Sequence, residues 1–553
     1  MKDPILNFFR NHGIKFLLVV TIIAGAGAGS KYFEISKNLD IYATLYKEVN
    51  ELYVEEINSS QLMQEGINSM LESLDPYTTF IPESDIEDHR FMTTGQYGGI
   101  GASITSRDGK IMVSEVYQDA PADQSGLIPG DRIIQVGEVE VSGMSTSEVS
   151  ELLKGQPDTE AEVIIEREGE DENLTKHITR QQVQVDNVPF YGMIDEKTGF
   201  IKLTSFRRGA TNEVRQAFEN LRDQEGMERV VLDLRDNPGG LLNESIDMVN
   251  LFVPRGELIV STQGRVEQWE QEYKTSQEPL DTEIPLAVLI NESSASASEI
   301  VAGAMQDLDR GIVIGRSSFG KGSVQTTRQL SYNTQLKITT AKYYIPSGRS
   351  IERIGDAVED SEMLDIDEDR PTEFTTRNGR EVYESDGIDP DIETESISTE
   401  PMIRDLQRNF HIFDFATKYH RNNESISSAL EFDVEDELFE EFRDFIVEKD
   451  YSFQESVERE FDQFVKRASE DEEFGEIKEE VDKIRDHLKK DIDKQLSRNE
   501  DNIRKLLTEE IVSRYYYKRG RVEASFRNDN DVIEARNLFE DLDRYKSILA
   551  IAE

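Results

Sequence analysis

A serine-rich segment, NESSASASEI, occupies residues 291–300 and places serines at positions 294, 296 and 298. It lies between a strand-like run, PLAVLIN, and a helix-like run that begins with SASEIVAGAM. At a helix N-terminus, unpaired N–H groups and a partial positive charge can stabilise the oxyanion that develops during acyl transfer. The structural alternative is that these serines only cap the helix, since serine is a favoured N-cap residue. Chemistry at this segment therefore depends on a base that activates one of the serines.

The positions of the histidines in the sequence limit which residue could be the base that activates a serine. Histidine is the usual base for this task. None lies between residues 186 and 400, because the six histidines of the chain are His12, His89, His177, His411, His420 and His487. Lysine is the next candidate, and Lys321 lies between two glycines in GRSSFGKGSVQ, residues 315–325. Such a lysine must be desolvated, and lowering its pKa by about three units costs roughly 4 kcal/mol. A Ser-Lys pair is favoured, with a histidine from another domain as the alternative.

A glycine-rich turn, DNPGG at residues 236–240, ends the strand-like run RVVLDLRD. Glycine lets a backbone approach a ligand closely, so the amides of this turn can point at a reacting group. The turn is therefore a candidate for the second half of an oxyanion hole. The alternative is an ordinary Pro-Gly turn without a chemical role.

Taken together, DLRDNPGG, SASASEI and FGKGSVQ, in this order and preceded by YGGIGA, resemble the motifs of the carboxyl-terminal processing peptidases. These are Ser-Lys serine proteases with an inserted PDZ domain, and the resemblance covers about residues 40–400. It implies that Ser296 is the nucleophile, that Lys321 is the general base and that Gln325 orients this lysine. The oxyanion donors that it implies are Ala297 and either Gly239 or Gly240.

The PDZ domain that the resemblance implies has its own recognition chemistry. A glycine-hydrophobic-glycine loop before an edge strand offers backbone amides to a C-terminal carboxylate, while the peptide adds a strand to the sheet. Gly99, Ile100 and Gly101 form such a loop. The expected partners are protein substrates recognised by their C-termini, and the resemblance implies apolar ones. The competing hypothesis is a catalytically inactive PDZ scaffold of the cell envelope, which would lack the catalytic serine, lysine or glutamine; all three are present.

Strand-like and helix-like runs alternate through residues 186–400, which predicts crossover connections and a largely parallel sheet. We therefore expect a multidomain α/β protein, and the resemblance implies a protease core of ClpP/crotonase-like type with an inserted β-rich PDZ domain. The predicted segments are a signal peptide or membrane anchor (1–30), a helical N-terminal segment (31–84), the PDZ domain (85–182), the protease core (183–400) and a mainly α-helical acidic region (401–553). For the last segment the alternatives are an oligomerisation arm, a wall of the substrate chamber and an adaptor-binding surface.

Composition and the N-terminus bear on partners and location. The formal charge of −50, from 62 Lys and Arg against 112 Asp and Glu, argues against a nucleic-acid partner, which needs clustered positive charge. Cysteine is absent from the sequence, so disulfides and thiolate metal sites are excluded. His411 and His420 are too isolated in the sequence to indicate a metal site, so we expect no metal or cofactor. An uncharged stretch at 16–30 follows Lys2, Arg10 and Lys15, a pattern typical of export signals. It is shorter than the about 20 residues of a membrane span, so a cleaved signal and a retained inner-membrane anchor remain alternatives. Either predicts an exported protein of the periplasm or cell envelope.

Overall fold

The computed structural model describes residues 32–353, 373–395, 400–449, 451, 456–468, 478, 480, 481, 483, 484 and 492–550. They form two compact units. One contains the described residues up to 80 together with 327–338, and the other contains 81–326 and the described residues from 339 onwards. The predicted signal or anchor at 1–30 lies outside the described residues. Among the helices that are described, none has both the length and the apolar character of a membrane crossing.

The first unit contains two helices, α1 over residues 32–52 and α2 over Ser59–Glu72. Helix α2 begins after Asn58, whose side chain accepts a hydrogen bond from the Gln61 N–H at 3.2 Å, as a good N-cap residue does. The Tyr46 hydroxyl of α1 donates to the Ser59 carbonyl at 2.6 Å. Both helices lie within the segment 31–84 that is expected from the sequence to be helical.

The β-rich module begins after β1 and α3, and it contains mostly short antiparallel strands. The two elements before the module are β1 (Thr79–Ile81) and α3 (Ile86–Thr94). The elements of the module are β2 (Gln96–Gly99), β3 (Ala102–Arg107), β4 (Lys110–Val116), α4 (Pro121–Gln124), β5 (Arg132–Val136), β6 (Val139–Glu140), α5 (Thr146–Leu153), β7 (Glu160–Glu166), β8 (Leu174–Thr179) and β9 (Gln181–Gln184). The sheet has the order β3-β4-β5-β7-β8, with β6 on β5. Strands β2 and β9 pair with each other, so the chain enters and leaves the module through neighbouring strands, as an insertion requires.

The predicted protease core alternates strands and helices. Its elements are β10 (Phe190–Met193), β11 (Thr198–Lys202), α6 (Ala210–Glu225), β12 (Arg229–Asp233), α7 (Leu242–Asn250), β13 (Leu258–Gln263), β14 (Gln271–Lys274), β15 (Leu286–Ile290), α8 (Ala297–Asp307), β16 (Ile312–Gly315), β17 (Ser323–Gln329), β18 (Gln335–Tyr344), β19 (Glu373–Thr375), β20 (Glu381–Tyr383) and β21 (Ile392–Glu393). The main sheet has the order β10-β11-β12-β15-β16-β21. All of its pairs are parallel except β10 with β11, which confirms the predicted largely parallel sheet. A second sheet contains β17, β18, β13 and β14.

The C-terminal region is helical, as predicted. Its described helices are α9 (Pro401–Arg408), α10 (His411–Asn422), α11 (Asp436–Glu448), α12 (Ser456–Ala468), α13 (Ile492–Arg498), α14 (Glu500–Ser525), α15 (Asn530–Glu540) and α16 (Leu542–Ile548). Helices α9 to α11, α13 and α14 share an apolar core that includes Leu406, Phe415, Phe442, Leu496 and Leu507.

The main sheet of this α/β core is covered on both faces. Helices α6 to α8 bury one face around side chains such as Phe218, Met248 and Ile300. The other face, with Phe200 and Leu289, is buried by side chains from the C-terminal region. Parallel sheets normally need both faces covered, and their strands are therefore continuously apolar, as LAVLI in β15 is. The last helices of the chain therefore pack on the main sheet itself, while the predicted boundary at residue 400 stays a prediction.

Candidate active site

Ser296 is the residue immediately before α8, in a loop that follows the buried strand β15. Its backbone has φ 55° and ψ −110°, a conformation that side chains with a Cβ atom avoid because of steric crowding. Such strain persists only where surrounding contacts impose it, and it is concentrated at functional sites. The Ser296 side chain is half-buried, so a partly accessible serine is held at a helix N-terminus.

The two neighbouring serines of the motif have structural roles. Both are fully buried. The Ser294 hydroxyl donates to the Leu234 carbonyl at 2.9 Å, and the Ser298 hydroxyl donates to the Asn237 carbonyl at 2.9 Å. Their hydroxyls therefore connect the serine loop to the end of β12 and the turn that follows it. Of the three alternating serines, Ser296 is the one that a substrate can reach.

Glu299 connects the serine loop to the segment that carries Lys321. Its carboxylate accepts four hydrogen bonds: Oε2 from the N–H groups of Ser296 (2.6 Å) and Lys321 (2.9 Å), and Oε1 from the Gly320 N–H (2.7 Å) and the Ser318 hydroxyl (2.6 Å). The side chain is fully buried, and burial raises the pKa of Glu299 although the four hydrogen bonds lower it. All four partners are donors, which is the arrangement that an ionised carboxylate needs. Sequence reasoning missed this residue, although the Ser-x-x-Glu spacing of a capping box is present at 296–299.

Lys321 lies just before β17, and Gln325 lies within this strand, near its start. The Lys321 side chain is half-buried, and its backbone is held by Glu299. The Gln325 amide nitrogen donates to the hydroxyls of Ser323 (2.9 Å) and Thr339 (3.3 Å). These two bonds fix the orientation of the amide, so that its oxygen is the atom left to accept a hydrogen bond. Strand β17 follows the Gly-Lys-Gly segment.

The Pro-Gly-Gly turn lies directly against the serine loop. Gly239 has φ 95°, and a Cβ atom there would lie 2.9 Å from the Cβ of Ser296 and 2.9 Å from the Ala297 nitrogen. The Gly239 N–H donates to Asn237 Oδ1 at 2.9 Å. Among the described residues, the N–H groups of Gly240 and Ala297 have no acceptor. The turn and the first residue of α8 therefore present unpaired amides beside Ser296.

Asn237 anchors this turn, and it is a second residue that sequence reasoning missed. It is fully buried, and its side chain donates to the Leu203 carbonyl at 2.9 Å. Its carbonyl accepts hydrogen bonds from the Ala295 N–H at 3.0 Å and from the Ser298 hydroxyl at 2.9 Å. Residues on both sides of Ser296 are thus bonded to one backbone carbonyl of the turn.

Three of the histidines that could replace lysine as the base have contacts elsewhere. His177 lies 3.1 Å from Glu160 on the β-rich module. In the C-terminal region, His411 packs edge-on against Tyr451, and His420 packs edge-on against Tyr515. None of these contacts involves the serine loop, whereas Lys321 is bonded through its backbone to the same carboxylate as Ser296.

The predicted peptide-binding loop, Gly99 to Gly101, connects β2 to β3. The Ile100 side chain is buried in the apolar core of the module, so only its backbone can meet a ligand. Gly101 has φ 77°, and a Cβ atom there would lie 2.3 Å from the Ala120 Cβ, which explains the need for glycine. Within the described part of the chain, β3 pairs with β4 alone and has its other edge unpaired. The loop and strand thus have the arrangement that strand addition requires.

Comparisons with known proteins found family models and solved structures that match parts of this chain. Models of three families match the chain: "Peptidase family S41" at residues 197–362, "PDZ domain" at 112–167, and "Probable PDZ-protease, C-terminal helical domain" at 402–539. Among solved structures, a photosystem II D1 C-terminal processing protease is 27% identical, with 64% of this chain and 92% of that one covered and a TM-score of 0.36.

Two curated relatives share much of their length with this chain. A probable CtpA-like serine protease from Staphylococcus aureus is 30% identical over 344 residues, which are 61% of this chain and 68% of the relative. A carboxy-terminal-processing protease from Bartonella bacilliformis is 36% identical over 322 residues, which are 58% of this chain and 74% of the relative. The chain therefore belongs to the carboxy-terminal-processing proteases, serine proteases of peptidase family S41 that carry a PDZ domain.

Proposed function

We propose that this protease is an endopeptidase that cleaves through a Ser-Lys acyl-enzyme mechanism, with Ser296 as nucleophile and Lys321 as general base. The observation that carries the proposal is the shared carboxylate of Glu299, which holds the backbones of both residues through one oxygen atom. The strained backbone of Ser296 and its half-buried side chain further support its role.

The proposed reaction has two acyl-transfer steps. Ser296 Oγ attacks the scissile carbonyl while Lys321 Nζ takes its proton, and the lysine then returns this proton to the leaving amine. The N–H of Ala297 and an amide of the Gly239–Gly240 turn stabilise the tetrahedral oxyanion. A water molecule, activated by the same lysine, then releases the acyl group from Ser296. The Gln325 amide oxygen accepts a hydrogen bond from the lysine and orients it.

The test of this mechanism compares wild type with Ser296→Ala and Lys321→Ala, using an unstructured protein with an apolar C-terminus as substrate. Both variants are expected to bind this substrate and to leave it uncut. If Ser296→Ala alone abolished cleavage while Lys321→Ala kept near-normal turnover, a histidine from another domain would be the better base. If neither substitution reduced cleavage, the nucleophile would lie elsewhere in the protein and the assignment of Ser296 would be wrong.

We also propose that the PDZ domain selects substrates by apolar C-termini. In support, the loop from Gly99 to Gly101 precedes a strand with one unpaired edge among the described residues. A bound peptide would pair with this edge of β3, and its carboxylate would accept hydrogen bonds from the loop amides.

The finer description of the core and the cellular location are further proposals. The alternation of parallel strands and helices supports a core of ClpP/crotonase-like type. The basic residues and the uncharged stretch before residue 31 support export to the periplasm or cell envelope, with the segment either cleaved or kept as an inner-membrane anchor. N-terminal sequencing of the protein recovered from fractionated cells tests this.

Exposed apolar side chains such as Leu45 and Leu52 support association with another copy or an adaptor through the N-terminal helices. Sedimentation of the purified protein tests this association.

A further inference from the structure

Arg235, in the loop after β12, is surrounded by carboxylates from two distant parts of the chain. Its Nε and Nη2 contact Asp233 at 3.0 and 2.9 Å. Its Nη1 donates to Asp529 at 2.8 Å and to Asp531 at 2.7 Å, and its Nη2 lies 2.7 Å from the second oxygen of Asp529. These five contacts use the full set of N–H donors of a guanidinium group.

The charge network is buried, so its members depend strongly on one another. The side chains of Arg235 and Asp531 are 14% and 4% exposed. Lys202 adds a second positive charge at 3.0 Å from Asp233. Although burial alone raises the pKa of Asp233, the charges of Arg235 and Lys202 hold this pKa well below its usual range. Removing one partner of such a buried network leaves an uncompensated charge.

Two of the three carboxylates come from the C-terminal helical region. Asp529 is the N-cap of α15, where its side chain accepts hydrogen bonds from the N–H groups of Asp531 (3.0 Å) and Val532 (3.2 Å). The start of this helix is therefore ordered by its own cap and by the guanidinium together. The protease core supplies the arginine, and a helix packed on the opposite face from α8 supplies its additional partners.

The backbone of Arg235 leads directly to the serine loop. Its N–H donates to Asp233 at 2.9 Å, and its carbonyl accepts a hydrogen bond from Lys202 at 2.9 Å. Asn237, two residues further on, holds both sides of Ser296 through its carbonyl. A displacement of the arginine would thus be transmitted through one short loop to the nucleophile and to the Gly239–Gly240 turn.

We propose that Asp529 and Asp531 are positioning residues of the protease, which hold the Arg235 guanidinium and thereby the loop that carries the oxyanion turn. The C-terminal helical region is then a part of the catalytic unit, in addition to any role in assembly or adaptor binding. This inference rests on the proposed assignment of Ser296 as the nucleophile.

The test uses the full-length double variant Asp529→Asn/Asp531→Asn. Asparagine is as good an N-cap residue as aspartate, so the substitutions remove charge from the network and keep the cap. The matched control is Tyr545→Phe. It removes a hydroxyl that bonds to the Leu286 backbone N–H (3.0 Å) and carbonyl (3.1 Å), which is a contact between α16 and the protease sheet remote from the DNPGG turn. For each protein we would measure melting temperature, kcat and KM with the unstructured substrate, and the labelling rate of Ser296 by a fluorophosphonate.

The expected result for the double variant is a kcat at least tenfold below wild type, a KM within about twofold, and a slower labelling rate per labelled site. The control is expected to melt earlier but to retain the wild-type kcat. A double variant that folds and has wild-type kcat and labelling rate would overturn the inference. If the double variant did not fold, the same readouts on Asp529→Asn alone would decide in the same way. The Ser296→Ala variant separates the two proposals. If this variant loses all labelling and cleavage, the assignment of Ser296 as the nucleophile is supported, whatever kcat the aspartate variants have.

Discussion

The main-chain N–H groups of Ser296 and Lys321 donate to one atom, Oε2 of Glu299, over 2.6 and 2.9 Å. The first residue precedes α8 and the second precedes β17, so a single buried oxygen sets the distance between two separate segments of the protease. The other oxygen of the same carboxylate holds Ser318 and Gly320. The geometry of the proposed Ser-Lys pair is therefore built through backbone bonds to a third side chain.

Replacing this carboxylate by an amide should damage both stability and turnover. In Glu299→Gln, the amide nitrogen would face two donors that need an acceptor, and each unsatisfied buried group costs about 1–3 kcal/mol. We expect the free energy of unfolding to fall by about 2–6 kcal/mol and kcat to fall at least tenfold. Denaturant titration and substrate cleavage measure the two effects.

The control for that substitution is Glu292→Gln in the same sequence motif. Glu292 is 61% exposed and pairs with Arg316 at the surface, so its loss should change stability by less than about 1 kcal/mol. Wild-type turnover in Glu299→Gln would show that the shared carboxylate does not set the geometry of the site.

The close approach of Gly239 to Ser296 predicts that even a methyl group is not tolerated there. In Gly239→Ala the new Cβ would lie 2.6 Å from the Ala295 carbonyl and 2.9 Å from the Ser296 Cβ, so the serine loop must shift. Gly256 is the matched control, because its φ of 97° is nearly the same and its surroundings are open. Both substitutions cost roughly 1–2 kcal/mol of backbone strain. Only Gly239→Ala should also lower kcat, by at least tenfold, and equal kcat values in the two variants would contradict this.

Recognition of the terminal carboxylate by the PDZ loop can be tested without altering the protein. Binding of a peptide with an apolar C-terminus to the Ser296→Ala variant is compared with binding of the same peptide carrying a C-terminal amide. Hydrogen bonds to a charged group are worth about 1.5–3 kcal/mol, so amidation should weaken the affinity roughly 10-fold to 100-fold. Calorimetry measures both constants, and equal affinities would remove this role from Gly99 to Gly101.

Glu509 predicts a pH dependence of stability. Burial raises its pKa to about 7 from 4.5; Arg521 and Arg235 lower this pKa, whereas Asp529 and Glu510 raise it. Between those two values the folded state holds a proton that the unfolded state releases, so the free energy of unfolding falls as pH rises through this window. The loss amounts to up to about 3 kcal/mol.

The Glu509→Gln variant should abolish this loss, because glutamine stays neutral at every pH. We expect its melting temperature to exceed that of wild type at pH 8 and to vary less between pH 5 and pH 8. The neighbouring Glu510→Gln is the control: burial raises the pKa of Glu510, but Arg514 and Arg521 hold it below its usual range, so this substitution should destabilise the protein at pH 8. A wild-type pH dependence in Glu509→Gln would show that another group is responsible.

Much of the fold was predictable from local patterns. A largely parallel sheet was indicated by the continuous apolar run of β15 and by the alternation of such runs with amphipathic helices. Both the burial of a strand and the periodicity of a helix follow from the types of residues that are close together in the sequence. The role of Glu299 was not recognised, because its partners at 318, 320 and 321 are separated from it by a strand and two loops.

By itself, the sequence determined which residue types are available for chemistry: one serine motif at a helix start, one lysine between glycines, and no histidine in the protease core. Motif order was enough to indicate the family, because the motifs are local. Tertiary structure alone decided that Ser294 and Ser298 are buried hydrogen-bond donors and that Ser296 is accessible. It also decided that Asp529 and Asp531 meet Arg235. The physical reason is that burial and charge pairing depend on which distant segments pack together, and spacing along the chain does not encode that directly.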